Sequence, residues 1–585
     1  MNLFSILVYL LFFSFNLPCF SEVIEVVDSG ILRASDNLGP LGDTFEVSSD
    51  GNDFYQEVSF LPFIQSSHES FINSDDSLKF LGQSGSQMLV LDDGIPQKSI
   101  TSIGGSRSYH YLDPFFFDSI SVNTGGSSAT LGTGAFSGAI SLQSKFNLGT
   151  KYMFQMGSFG QQKIGLKSGV RLKRWLSSFE FLSSSKSGPS LSLNKNGTEL
   201  EEDSRQLYGV RIKVKESSSS SIGPYFQFNY YRDKQDFDQF MLDDGRPFGD
   251  QTVLELIAKN KMIFGESSIL STTARLQKNR RFMLNVLGDE ENSLQYNANN
   301  IFIRSDFETL DYFIFDSLSG GIELNYDFNI EITEIEKAGP NEQLEESAFL
   351  SARLNLSTLD EVNMSSRLTH AIGQLKVMNQ ASYEKKIDQQ LVKFKFFNDT
   401  RFPSLYERLS IYGTPDLRTE TNFGAEASVK KQLSSGSVNL LAYYQYQKNL
   451  IYFDGASSLY LNKLKNKLAG ISFGLDMDVS DYRLSLLSSY AYVDTKELRL
   501  NHSPLKLQAG ISKRISSKLK VEMNEIFHGK RQLFGGEKID FSLTSQLIGS
   551  YILGPNMVAT IRSSLLLNSN KDSQHNVILN LTGRL

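Results

Sequence analysis

Apolar and polar residues alternate with a period of two over long stretches of this chain. In Val438–Gln447 one face reads Val438, Leu440, Ala442, Tyr444 and Tyr446, while Asn439, Gln445 and Gln447 lie on the other. Phe226, Phe228 and Tyr230 alternate with Gln227 and Asn229, and Val210, Ile212 and Val214 with Arg211, Lys213 and Lys215. Leu519, Val521 and Met523 alternate with Lys520, Glu522 and Asn524, and the last residues set Val577, Leu579 and Leu581 against Asn580, Thr582 and Arg584. Period two predicts β-strands with one apolar and one polar face. Segments rich in Ser, Asn, Asp and Gly, such as Ser183–Gly188 and Glu216–Ser221, read as turns and loops between them. Recurring over hundreds of residues, the pattern suits a barrel with a lipid-facing exterior and a wet lumen. A soluble β-sandwich or propeller alternates too, but a propeller repeats every ~40–50 residues and no such repeat is found.

Length and composition narrow the choice. Residues 146–585 number 440, which is 20 per strand with its connection if divided among 22 strands, the number that goes with a plugged lumen. A spanning strand needs roughly 9–11 residues, so the remainder suffices for turns and loops. A porin-like 16 strands would leave longer loops. Phe and Tyr total 67 and Pro only 13, which favours a large β-structure over a disordered chain. The net charge of −7 argues against a nucleic-acid surface. No segment after the first residues has the ~18 consecutive apolar residues of a spanning helix. Leu3–Phe15 has the length of a signal-peptide core, and cleavage after Ser21 would remove residues 1–21 together with Cys19, the one cysteine.

The region before residue 146 has fewer alternating runs and more glycine. Gln87-Met88-Leu89-Val90-Leu91-Asp92-Asp93-Gly94-Ile95-Pro96 resembles the strand and turn "vLVLiDGvP" of the plug domain of TonB-dependent outer-membrane receptors. The run Phe117–Leu142, with Gly125, Gly126, Gly132, Gly134 and Gly138, resembles that plug's "IerIEVlrGpsSalYGsgAiGGvInI". Arg401–Glu407 and Tyr412–Glu420 resemble the family's barrel motif "f.aPsl.ELy...GnpdLkPE". The resemblance implies an all-β membrane barrel of about 22 antiparallel strands around an N-terminal α+β plug, in the outer membrane of a Gram-negative bacterium. Residues 22–30 would be a TonB-box-like segment, 31–145 the plug and 146–585 the barrel. Family plugs carry arginine before glycine at two places where this chain has Leu81-Gly82 and Thr124-Gly125. Those arginines are expected to pair with barrel carboxylates, so plug docking is expected to differ here.

The function implied is active, TonB-dependent uptake of a scarce nutrient such as an iron–siderophore or cobalamin, by a monomer needing no cofactor and binding no nucleic acid. Glu22, Val23, Ile24, Glu25, Val26 and Val27 resemble the box that pairs with TonB, and their β-branched residues suit strand addition. Tyr109, His110 and Tyr111 are candidate ligand contacts on a plug loop, with core packing as the plainer alternative. Asp236, Asp238, Asp243 and Asp244 form an acidic loop that offers oxygen ligands to calcium, although a solvated loop explains it as well. Asp92 and Asp93 are read as turn residues pointing to opposite faces, not as a catalytic pair. The six histidines show no paired metal spacing, and no nucleophile elbow is present, so the reading is of a non-enzyme. The alternatives are a passive channel and a surface-binding barrel that does not transport.

Overall fold

Twenty-two antiparallel strands, from Gly149–Gly157 to Lys571–Arg584, pair each with the next. The last pairs with the first, Ile578 opposite Gly157 and Asn580 opposite Gln155, so the sheet closes into a barrel. Closure removes the edge that would otherwise leave backbone groups unsatisfied in lipid. This computed structural model describes residues 44–46, 54–59, 61, 64–66, 78–97, 109 and, from 111 to 584, all but 147, 190–201, 218–222, 237–247, 266, 285–293, 333–341, 411, 496–501, 533–537, 555 and 570.

The alternation read from the sequence sorts the residues between the two faces of the wall. Leu440, Tyr444, Ile471, Leu579 and Ile561 are exposed on the outside, while Asn439, Gln445, Gln447, Arg211 and Lys213 face the lumen. Strands run from 9 residues (Gly149–Gly157) to 21 (Leu459–Val479), so the longer ones project beyond a bilayer that 9–11 residues cross. Connections at one end are short, such as Lys173–Arg174 and Phe313–Ile314. Those at the other end include 190–201, 237–247 and 402–419. Short periplasmic turns and longer extracellular loops orient the barrel.

Inside the lumen sits a five-stranded sheet in the order Thr44–Glu46, Ser119–Thr124, Gly138–Gln143, Met88–Asp92, Ile95–Gln97. Met88–Asp92 and Gly138–Gln143 run parallel, which requires the long crossover through residues 93–137. A second sheet joins Ile64–Ser66, Leu78–Phe80 and Gln83–Ser84. The plug's apolar core (Phe54, Tyr55, Met88, Val90, Ile120, Ile140) is continuous with barrel residues Leu182, Leu207, Tyr231, Val253 and Tyr443. Plug and wall therefore pack as one body.

Candidate functional site: the plug–barrel interface

The turn Asp92–Ile95 joins two plug strands, with Asp93 at φ 48° and Gly94 at φ 81°. That left-handed pair is the geometry of a tight hairpin turn, which Asp-Gly favours. The sequence reading sends Asp92 and Asp93 to opposite faces. The structure corrects this, because Asp93 lies in the turn and both carboxylates come round to the same arginine. Arg211 on the strand Glu202–Glu216 lies 2.7 Å from Asp92 and 3.9 Å from Asp93. Tyr231 accepts from the same guanidinium at 2.8 Å, and the rings of Phe116 and Phe117 lie 5.3 and 5.0 Å from it. Burial pushes Asp92 up to about 7 in spite of Arg211. For Asp93 burial acts in the same direction, but Lys213, Lys259 and Arg211 outweigh it and hold the group below its ordinary value. A second buried ion pair joins plug Asp113 to Lys163 at 2.7 Å.

The other side of the plug docks differently. The turn containing Gly125 and Gly126 presses against barrel carboxylates: a Cβ on Gly126 would fall 1.5 Å from Asp399, and one on Gly125 2.4 Å from Glu426. Gly125 also has φ 64°, so close approach and backbone conformation both require glycine there. Where the family resemblance places a plug arginine, Thr124 donates to Glu426 at 3.3 Å. The cation comes from the wall instead, with Lys395 donating to the Thr124 carbonyl at 2.8 Å and to Ser127 at 3.2 Å. The Ser128 N–H donates to Asp399 at 3.1 Å. Gly132, Gly134 and Gly138 follow in the same segment with φ 108°, 101° and 143°.

At the other departure, Leu81-Gly82, contacts are neutral. Tyr443 donates to the Leu81 carbonyl at 3.3 Å. Gln83 donates to Gln445 and accepts from Gln447, each at 2.6 Å. Lys506 donates to three plug carbonyls, of Ser59, Leu61 and Ile64, at 2.6–3.0 Å.

Above the plug, the 402–419 connection folds back over the lumen. Ser404 and Glu407 form a reciprocal cap on the short helix Leu405–Leu409. Glu407 also takes two hydrogen bonds from Arg401 at 3.0 and 3.1 Å, and Arg401 bonds Glu420 through Nε. Tyr406 packs on Tyr296 and Tyr460. Gln87 of the plug reaches Glu420 at 3.5 Å.

The remaining candidates distribute as follows. Tyr109 and Tyr111 are buried in the shared core: the Tyr109 N–H donates to Tyr55, and Tyr111 packs on Tyr231 and donates to Gln97. Glu22, Val23, Ile24, Glu25, Val26, Val27, His110, Asp238, Asp243 and Asp244 lie outside the described residues, as does the side chain of Asp236. The neighbouring Asp233 is paired with Arg205 at 2.8 Å. Among the described residues no group of three or more His, Cys, Asp or Glu is placed to hold a metal ion. Lys163, Lys395 and Lys506, each central to docking, are not singled out by sequence reasoning; their place on the lumen face of alternating strands is the signal that marks them.

A closed antiparallel barrel with an apolar outer face, its lumen stopped by a folded N-terminal domain, is a plugged outer-membrane barrel. Residues 50–139 match the family model of the TonB-dependent Receptor Plug Domain, and the barrel that encloses them makes the chain a plug-and-barrel protein of the outer membrane of Gram-negative bacteria. Its fold is similar to that of the siderophore receptor PirA from Acinetobacter baumannii, with a TM-score of 0.76 and 13% identity over 93% of this chain and 98% of that one. A mutant of the ferric enterobactin receptor PfeA from Pseudomonas aeruginosa gives 0.76 and 12% over 95% and 99%. The FrpB iron transporter from Neisseria meningitidis gives 0.76 and 12% over 93% and 100%. No curated protein matches the sequence.

Proposed function

We propose that this protein takes up an iron chelate across the outer membrane at the expense of energy delivered by TonB. One observation carries the reading: the plug is held to the wall by buried ion pairs and hydrogen bonds on several sides, through Arg211, Lys163, Lys395, Gln445, Gln447 and Lys506. A large solute passes only when such contacts are broken, and breaking them requires work. The named ligands of PirA, PfeA and FrpB support iron as the cargo, and cobalamin is the alternative. In this reading residues 1–21 are removed, 22–30 present Glu22–Val27 to TonB as an added strand, 31–145 form the plug and 146–585 the barrel.

The test has two arms. Purified mature protein should bind the periplasmic domain of TonB, and a variant lacking Glu22–Val27 should not. Cells expressing it should accumulate ⁵⁵Fe from a ferric chelate, and an uncoupler should stop them. Flux that survives the uncoupler marks a passive channel, binding without accumulation marks a surface-binding barrel, and accumulation of labelled cobalamin in place of iron changes the cargo.

A further inference from the structure

The cations of the lumen wall are not spread evenly. Strand pairing sets Lys163 level with Leu207, and Lys167 level with Arg211 through Glu180. Lys213 lies two residues further toward the short-turn end, and Lys259 is level with Lys215, two further still. At ~3.4 Å per residue the file of Lys163, Lys167, Arg211, Lys213 and Lys259 runs about 27 Å along the strands. Within the wall, Glu180 holds Lys213 at 3.0 Å. Barrel Tyr231 accepts from Arg211 and the Tyr225 ring lies under Lys259, but the anionic partners outside Glu180 belong to the plug: Asp113 holds Lys163, and Asp92 and Asp93 hold Arg211, while the Asp93 carbonyl accepts from Lys259 and the Phe115 ring lies under Lys167.

Any plug movement that opens this side carries Asp92, Asp93 and Asp113 away and leaves the five cations facing two buried wall carboxylates, Glu180 and Glu255, an excess of positive charge. Like charges lined along one low-dielectric wall repel one another and focus their field into the opened passage, and an entering anion relieves that cost. The opposite side is mixed in charge. There the plug presents the hydroxyls and amides of Thr124, Ser128 and Thr133 to Glu426, Asp399 and Glu345. Opening that side would expose these carboxylates together with Lys395 and Arg367.

We propose that the solute carried by this barrel is an anion, and that it crosses along the wall from Gln162–Leu172 to Phe248–Phe264, its acidic groups replacing those of the plug on Lys163, Arg211 and Lys259. The proposal rests on the uptake function above and adds the charge class of the cargo and its route.

The full-length chain is tested in a strain lacking other ferric-chelate receptors, with ⁵⁵Fe presented as anionic complexes (tris-catecholate, citrate) or as neutral tris-hydroxamates. Anionic complexes should accumulate and neutral ones should not. Lys259→Gln, and separately the charge-neutral pair Asp92→Asn/Arg211→Gln, which keeps hydrogen-bonding groups at the interface, should slow uptake about tenfold while binding at the cell surface in the cold is unchanged. Comparable uptake of neutral complexes, or parental rates in both variants, overturns the route. Failure of every complex to accumulate overturns the iron-uptake reading itself, and the two failures are thereby distinguished.

Discussion

Asp92 of the plug and Arg211 of the barrel meet at 2.7 Å with neither side chain more than 1% exposed. The pair ties the hairpin turn at Asp92–Ile95 to the strand Glu202–Glu216, across 119 residues of sequence. Removing Arg211 leaves a buried carboxyl without its partner; Asp92, already raised to about 7, then neutralises by taking a proton, and the loss is that of a buried polar group unpaired, about 1–3 kcal/mol. Arg211→Ala should therefore loosen the plug by that order, read as faster hydrogen exchange of Ser119–Thr124 and Gly138–Gln143 while exchange in the barrel strands is unchanged. Asp92→Asn/Arg211→Gln should cost less than Arg211→Ala alone, because the two amides keep volume and hydrogen-bonding groups at the interface.

The same aspartate makes plug docking depend on pH. Its carboxyl is raised from 3.8 to about 7 in the docked plug, so between those values the docked form binds more protons than the released one. Docking is therefore strongest below the lower value and weakens as pH rises through about 7. Asp93, held below its ordinary value, acts in the opposite sense and only at more acidic pH. Plug protection, corrected for intrinsic exchange, should be greater at pH 5 than at pH 8, and Asp92→Asn should flatten the difference. A slope that survives in Asp92→Asn would assign the effect to another group.

Gly126 has no room for a side chain. Its added Cβ would meet Asp399 at 1.5 Å and the Phe397 ring at 2.4 Å, contacts that a shift of the turn or of those two side chains must relieve. Gly126→Ala should cost about 1–3 kcal/mol of docking stability, the usual range for overpacking. Asp399→Ala in the same chain should recover part of it by opening the space. Strict additivity of the two changes, measured by denaturant unfolding of the plug, would show that they do not share this contact.

The barrel was legible in the sequence because a strand repeats every two residues. Leu440, Tyr444 and Leu579 turn outward and Asn439, Gln445 and Arg211 inward, as the alternation predicts. The turn glycines of the plug were legible for a similar local reason. Which wall each plug residue meets was not. Asp113 finds Lys163 over 50 residues and Thr124 finds Lys395 over 271. Those meetings depend on how the folded plug is rotated within the lumen, which no periodicity records. Asp92 and Asp93 show the limit on a smaller scale. Strand geometry sends neighbours to opposite faces, and a hairpin turn brings both to Arg211.

Arg401 should govern the loop above the plug. It joins the end of the strand Gln390–Arg401, the helix Leu405–Leu409 through Glu407, and the start of the strand Glu420–Leu433 through Glu420. Glu420 also accepts the Ile451 N–H at 2.6 Å and touches Gln87 of the plug, so the loop and the plug share one carboxylate. Arg401→Leu leaves Glu407 and Glu420 buried without their cation, at about 3–5 kcal/mol. Arg401→Lys supplies a charge but not a planar fork that serves two carboxylates at once. Both variants should free residues 402–419 to proteolytic cleavage, Leu more than Lys, with the barrel's resistance to heat unchanged. Cleavage at the parental rate in Arg401→Leu would mean that the Tyr406, Tyr296 and Tyr460 packing holds the loop without the ion pairs.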